Sequence, residues 1–383
     1  MRVILATAFA SLFAAAPARV QAQVAVSAND GKTVLVDGVT AVSRTPVPDT
    51  VTVLDLSVWP PRVAGTVRAP ASVVGPPQSV AIAPDRSFAL VTSALKLDPA
   101  DATKTVPDDV VSVIDLRASP PVVLATLRAG RQPSGVSIND RGTLALVANR
   151  ADGTVSVFTV GGTRVTPAGT VDLGAKDSGP SHVAFTPDGS RALVTRNNDS
   201  LVSILAVSGT TVTYTRRDVV AGLKPYGLEI APKGDVAIVA NIGAGGTGGA
   251  DTLSVLDLTP AAPHAASHVT VGPTPEGIAI SPDGRYVAVT VINGSNAAPA
   301  SPFFHDYGLL KILRIEGTVL RPVTEARIGG WCQGVAWHPD GRSLLAQCLA
   351  ERAIRTFRFD GTRLVPGAAI PIDAGPAGLR ARD

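Results

Sequence analysis

Apolar and polar residues alternate with period two through short runs of this chain, and pairs of such runs are joined by Pro-Asp-Gly or a close variant. The pattern appears as PQSVAIAPDRSFALVTS from Pro77, PSGVSINDRGTLALVAN from Pro133 and PSHVAFTPDGSRALVTR from Pro180. It returns as PYGLEIAPKGDVAIVAN from Pro225, PEGIAISPDGRYVAVTV from Pro275 and CQGVAWHPDGRSLLAQC from Cys332. VAVSANDGKTVLVDG, from Val24, reads as a seventh copy with one extra residue in its turn. Alternation of this period predicts two strands per copy, and the turn glycine supplies the positive φ that other residues avoid. A further apolar run follows after a variable gap, as in TVTVLDL (50–56), VVSVIDL (110–116), TVSVFTV (154–160) and TLSVLDL (252–258), and predicts a third strand. A weaker β-rich stretch supplies the fourth.

Four antiparallel strands recurring every 44 to 57 residues form the unit of a β-propeller, and seven copies fit a closed ring. The fold class expected is all-β, a seven-bladed β-propeller of four-stranded antiparallel blades; an array of sandwiches is the competing arrangement. Ring closure removes the sheet edges that would otherwise pair with other chains. Inner strands carry Ala81, Ser137, Ala184, Ala279 and Ala336 between larger aliphatics, as crowding toward an axis requires. In the tail, Pro376-Ala377-Gly378-Leu379 repeats the opening of an inner strand. It is expected to lie beside the Val24 strand, so that the termini meet in blade one.

Composition narrows the classes. With 37 Gly and 31 Pro in 383 residues, long helices are excluded, because each such residue costs roughly 1–3 kcal/mol in a helix interior. A 45% hydrophobic content and a net charge of +3 exclude a disordered chain. Residues 1–22 read as a secretory signal, with a charged start, an apolar run over 3–16, and Val20 and Ala22 at a small-residue cleavage site. The remaining 23–383 read as one propeller domain. Loss of Arg2 and Arg19 lowers the charge to +1, so no nucleic-acid face is expected. No later segment has the length and hydropathy of a membrane span. The expected protein is periplasmic or secreted, monomeric and without a cofactor.

The order of inner strand, Pro-Asp-Gly turn, LVxN and xVSVIDL resembles the YVTN-repeat β-propellers, close to the lactonase-like propellers. The likeness covers nearly the whole chain after residue 22. It implies a seven-bladed fold, whereas the functions it implies include binding proteins and hydrolases. A WD40 protein is disfavoured because the closing Trp-Asp pair is missing from every copy.

Cys332 and Cys348 are the only cysteines, and their midpoint falls at Asp340 in the turn of the last inner hairpin. They face each other across adjacent strands, and in an exported chain a disulfide is expected. Metal ligation is not expected. His264 and His268 have i,i+4 spacing, which pairs ligands on a helix, but PHAASHV lies in a loop-and-strand region. GAGGTGG (243–249) has the composition of a phosphate loop without its strand and helix.

The longest gaps, 38–49, 94–109, 242–250 and 292–307, project from the end where the Pro-x-Gly inner strands begin, and that mouth is the expected binding face. Residues placed there include Tyr226 and Gln333 at x positions, Asn149 and Asn241 at the ends of second strands, and His305 and Tyr307 in the blade-six loop. Acid–base candidates are His182, which replaces a Gly, Glu229, which replaces a small residue, and Glu276, with Arg196 as the group that would stabilise developing negative charge and as the candidate partner for Glu229, a pair that could equally hold blades together. Three functions fit: an exported propeller binding a small molecule, envelope component or protein; a lactonase-like hydrolase of small lactones or esters; or an architectural part of an envelope complex. The His and Glu of lactonase-like relatives sit in a different register, so their roles are not carried over.

Overall fold

The computed structural model describes residues 23–245 and 248–382; the expected signal segment 1–22 lies outside the described residues. The chain forms a seven-bladed β-propeller. Blade two contains strands Val80–Ile82, Phe88–Leu97, Thr105–Asp115 and Val122–Arg128. Blade three contains Pro133–Ile138, Leu144–Asn149, Thr154–Gly161 and Arg164–Asp172, and blade four Pro180–Phe185, Arg191–Arg196, Leu201–Ser208 and Thr211–Val220. Blades five, six and seven begin at Pro225–Ile230, Pro275–Ile280 and Cys332–Trp337 and repeat the same order. The turn glycines Gly189, Gly284 and Gly341 have φ of 70°, 72° and 64°, and in blade two Arg86 adopts φ 54° in the same place.

Blade one is assembled from both ends of the described chain, in the order Gly375–Arg382, Val24–Asp30, Thr50–Asp55 and Arg62–Arg68. The C-terminal strand is therefore the inner one, paired antiparallel from Val24↔Arg382 to Asp30↔Gly375. The Val24 segment takes the place of a second strand, which corrects its reading as an inner hairpin. Its expected partner, Thr33–Val36, pairs instead with Val39–Val42 in a separate two-stranded ribbon. Sequence similarity misassigns this copy because first and second strands share the same alternation.

Apolar faces stack blade on blade. Val136, Ile138, Val147 and Phe158 of blade three pack on Leu90, Val111 and Val113 of blade two, and the same contact recurs around the ring. Polar stitches add to it. Thr92, Thr195 and Thr290 donate to the backbone carbonyls of Ser134, Tyr226 and Gln333 in the next blade. Gln347 of blade seven donates to the Gly378 carbonyl at 2.9 Å, which fastens the closing strand. Cys332 and Cys348 form a disulfide across the inner hairpin of blade seven, with Cα atoms 3.9 Å apart.

Deleting residues 376–383 removes the inner strand of blade one, bares the edge of Val24–Asp30 and uncovers the faces of blades two and seven that pack against it. The melting temperature is expected to fall by about 10 °C, given about 2–4 °C per kcal/mol for mid-sized domains. An unchanged melting curve would show that the ring does not depend on this closure.

Candidate functional site

Inner strands meet the axis in levels, one residue from each blade at each level. The x positions of the Pro-x-Gly starts are Gln78, Ser134, Ser181, Tyr226, Glu276, Gln333 and, on the closing strand, Ala377. The next level is Ser79, Gly135, His182, Gly227, Gly277, Gly334 and Gly378. Two residues further on come Ala81, Ser137, Ala184, Glu229, Ala279, Ala336 and Arg380. Glycine and alanine keep the axis open where seven strands converge. The few large side chains therefore decide what the channel contains.

At the x level the channel is closed. Segment 71–77 crosses the mouth: Val73 packs on Ile292, Trp331, Leu349 and Ala377, and the Gly75 backbone hydrogen-bonds the Tyr226 hydroxyl. A buried charge cluster anchors it. Val73 N–H donates to Asp30 at 2.9 Å, Ala71 N–H to Asp49 at 3.2 Å, and the Lys32 ammonium bridges Asp49 at 2.9 Å and the Ala71 carbonyl. The expected binding face is thus covered, and Gln78, Ser134, Tyr226, Glu276 and Gln333 are buried beneath the strap. The segment that covers this mouth is none of the long gaps read from the sequence, although Asp49 and Ile292, at the ends of two of them, hold it in place.

Under the strap lies a polar cluster. Arg150 donates to the Ser181 hydroxyl and stacks over the Tyr226 ring at 5.4 Å. Glu276 is hydrogen-bonded by the Gln333 side chain, and burial pushes its carboxyl up to about 7 against the lowering influence of Gln333 and Arg150. Burial also raises the Tyr226 hydroxyl. Gln78 reaches across the channel toward the Ile278 carbonyl, at 3.5 Å. His182 is fully buried one level down, over Gly135, where a side chain would collide with its ring. Burial, helped by the charge of Arg380, holds its pKa well below the usual histidine value, so the ring is neutral. Neither ring nitrogen has a hydrogen-bond partner among the described residues.

The opposite end, bounded by the Pro-Asp-Gly turns, opens into a cavity of about 330 Å³. Its walls include Ile82, Val136, Ile138, Phe185 and Ile230, and its polar groups are Ser137, Asp140, Glu229, Arg380 and Arg382. Glu229 of blade five and Arg380 of blade one form an ion pair across the channel. Arg382 reaches Asp140 of blade three at 3.3 Å. Both arginines come from the closing strand. The shared level of Arg380 and Glu229 was latent in the sequence, since PAGLRAR aligned on PYGLEIA puts Arg380 in the column of Glu229.

Other candidates lie elsewhere. Arg196 is not the partner of Glu229; it pairs with Asp199 and Asp218 and donates to Ser203 at 3.4 Å within blade four. It stands in the column where Asn149 and Asn241 tie the second strand to the third. Asn149 donates to Thr154 and Ser156 at 2.9 and 3.0 Å, and Asn241 to Thr252 and Ser254 at 3.1 and 2.8 Å. His305 bonds the Asn293 carbonyl at 3.0 Å and packs edge-on against Tyr307, which Arg327 covers at 4.1 Å. That cluster is knit into its own blade. His264 and His268 lie on the outer strand His264–Thr270, with His268 bonded to Ser254 at 2.9 Å.

Fold and site together define a seven-bladed β-propeller with one strapped mouth and one open, charge-lined mouth. Neither a protein-family model nor a curated protein matches the sequence. Solved structures do match. A protein from Bacteroides uniformis provisionally assigned as a 6-phosphogluconolactonase superposes with a TM-score of 0.72 at 16% identity, over 94% of this chain and 100% of that one. The periplasmic gluconolactonase of Pseudomonas aeruginosa gives 0.66 at 15%, over 94% and 98%. Hydrazine synthase of Kuenenia stuttgartiensis gives 0.63 at 15%, over 82% and 91%. At such identities the likeness is one of fold alone, and the same architecture carries unrelated chemistries.

The raised pKa of Glu276 makes stability pH-dependent. The folded state holds a proton that the unfolded state gives up from about 4.5, so stability is fully present below 4.5 and declines as pH rises to about 7. Glu276→Gln removes this decline, and at pH 8 it is expected to be more stable than the parent by on the order of 3 kcal/mol. Urea unfolding of both proteins at pH 5 and pH 8 measures the difference; equal pH slopes would contradict it.

Proposed function

We propose that this protein is an exported binding propeller that holds a small molecule in the cavity at its turn end. The observation that carries the reading is the Glu229–Arg380 pair in the open cavity, at a level where the other five inner strands place only Ala or Ser. Concave sites with apolar walls and a few convergent polar groups are the usual form of small-molecule sites. Charges of both signs there give orientation and specificity. Export rests on the signal-like segment 1–22 and fits the Cys332–Cys348 disulfide, a bond that persists in oxidising compartments. Calorimetry against a panel of small polar metabolites is expected to find a ligand whose binding Arg380→Ala abolishes. Equal affinity in parent and variant would remove the cavity as the site.

A second reading is favoured by Glu276. A buried carboxyl with a pKa of about 7 is matched to general acid–base work near neutral pH, and Arg150 and Tyr226 beside it could stabilise negative charge developing on a lactone carbonyl. Two of the structural neighbours are named for lactone hydrolysis. The strap over residues 71–77 has to open for a substrate to reach this cluster. Purified protein given gluconolactone is expected on this reading to hydrolyse it with a rate that rises through pH 7 as Glu276 loses its proton. Glu276→Gln is expected to lower that rate at least about 100-fold. Hydrolysis unchanged by the substitution, or none at all, leaves binding as the function.

A further inference from the structure

We infer that the ligand of the turn-end cavity is a zwitterion, a free α-amino acid. This rests on the reading that the cavity is the binding site, and it follows from how the cavity is charged. Two arginines face two carboxylates, and each arginine is paired to one acid across the channel: Arg380 to Glu229, and Arg382 to Asp140. The Glu229 and Arg380 side chains are 18% and 23% exposed, so neither is freely hydrated.

A lone anion that displaced Glu229 from Arg380 would leave a half-buried carboxylate without a partner, beside Ile230 and Pro232. A lone cation on Glu229 would strand Arg380 in the same way. Unpaired charge in such surroundings is costly. A molecule that carries both charges avoids the penalty. Its carboxylate takes the guanidinium fork of Arg380 in two parallel hydrogen bonds, and its ammonium takes the Glu229 carboxylate. Every charge in the cavity keeps a partner of opposite sign.

Two further features agree. Ala81, Ser137 and Ala184 line the channel at the level of the pair and leave room for a small ligand, and about 330 Å³ is at the small end of the range for ligand pockets. His182 lies on the strand that lines the cavity at Ala184 and Phe185, within electrostatic reach of Arg380. It is wholly buried, with both ring nitrogens unpartnered among the described residues. Buried polar groups are normally hydrogen-bonded. The neutral imidazole, one level above the pair, is an unpartnered polar group that a ligand entering the channel can satisfy.

Titration calorimetry of the full chain at low salt tests this with L-leucine, 4-methylpentanoate, which lacks the ammonium, and 3-methylbutylamine, which lacks the carboxylate. Leucine is expected to bind, and each fragment at least about tenfold more weakly. Arg380→Gln and Glu229→Gln are each expected to weaken leucine binding by a similar factor. The double variant removes both charges together and serves as the folded control, checked by circular dichroism and melting. If 4-methylpentanoate binds as tightly as leucine, the zwitterion assignment is overturned while the cavity stands as a site. The assignment also falls, with the cavity intact, if leucine and both fragments fail while a metabolite of another class binds in an Arg380-dependent way. If no small molecule of any charge class binds, the assignment and the reading beneath it fall together.

Discussion

The backbone ladder between Gly375–Arg382 and Val24–Asp30 is the contact on which the rest of the molecule depends. Six blades are each made from one continuous stretch of chain and could form in sequence order. The seventh position is filled only when the two ends of the described chain meet, and until then blades two and seven each have an uncovered face. Closure is fastened three ways: by the ladder, by Gln347 on the Gly378 carbonyl, and by Leu379 N–H on the Pro77 carbonyl at 2.9 Å. The same strand delivers Arg380 and Arg382 to the channel, so the step that completes the fold also completes the charged cavity. An open ring would have neither.

Convergence on an axis explains the economy of the site. Seven strands crowd one another at every level, and most positions tolerate only Gly, Ala or Ser. Where a large side chain enters, its neighbours give way: Gly135 accommodates His182, and Gly227 accommodates the amide of Gln78. Glu229 and Arg380 sit on opposite sides of the ring and span it together. Channel chemistry is thereby confined to a handful of residues, divided between a sealed polar cluster around Glu276 and an open cavity around Glu229. Burial sets their protonation in opposite senses, raising the Glu276 carboxyl and holding the His182 ring neutral.

Much of this was legible in the residues. Period-two runs and Pro-Asp-Gly turns foretold the blades, the midpoint of Cys332 and Cys348 foretold their pairing, and the tail motif foretold the closure. The departures at His182 and Glu229 marked the channel. Other signals pointed the wrong way for physical reasons. Long loops commonly frame an open site, but here the strap 71–77 is drawn over the mouth by Asp30, Lys32 and Asp49, whose meeting no local pattern announces. Asn149, Asn241 and Arg196 stand at one repeat position and look like a functional column. Side-chain geometry commits them to the third strand of their own blades, or to nearby aspartates.

Sequence alone thus determined the repeat, the strand order within a blade, the disulfide and the positions where something larger than Ala enters the axis, because these follow from local alternation and from spacing along the chain. Tertiary structure alone decided which mouth stays open and that Glu229 is answered by Arg380, 151 residues away. It also placed the neutral imidazole of His182 within electrostatic reach of Arg380. Such partnerships depend on the angle at which blades meet around the ring. That angle is a property of seven sheets packed together and is not carried by any one of them.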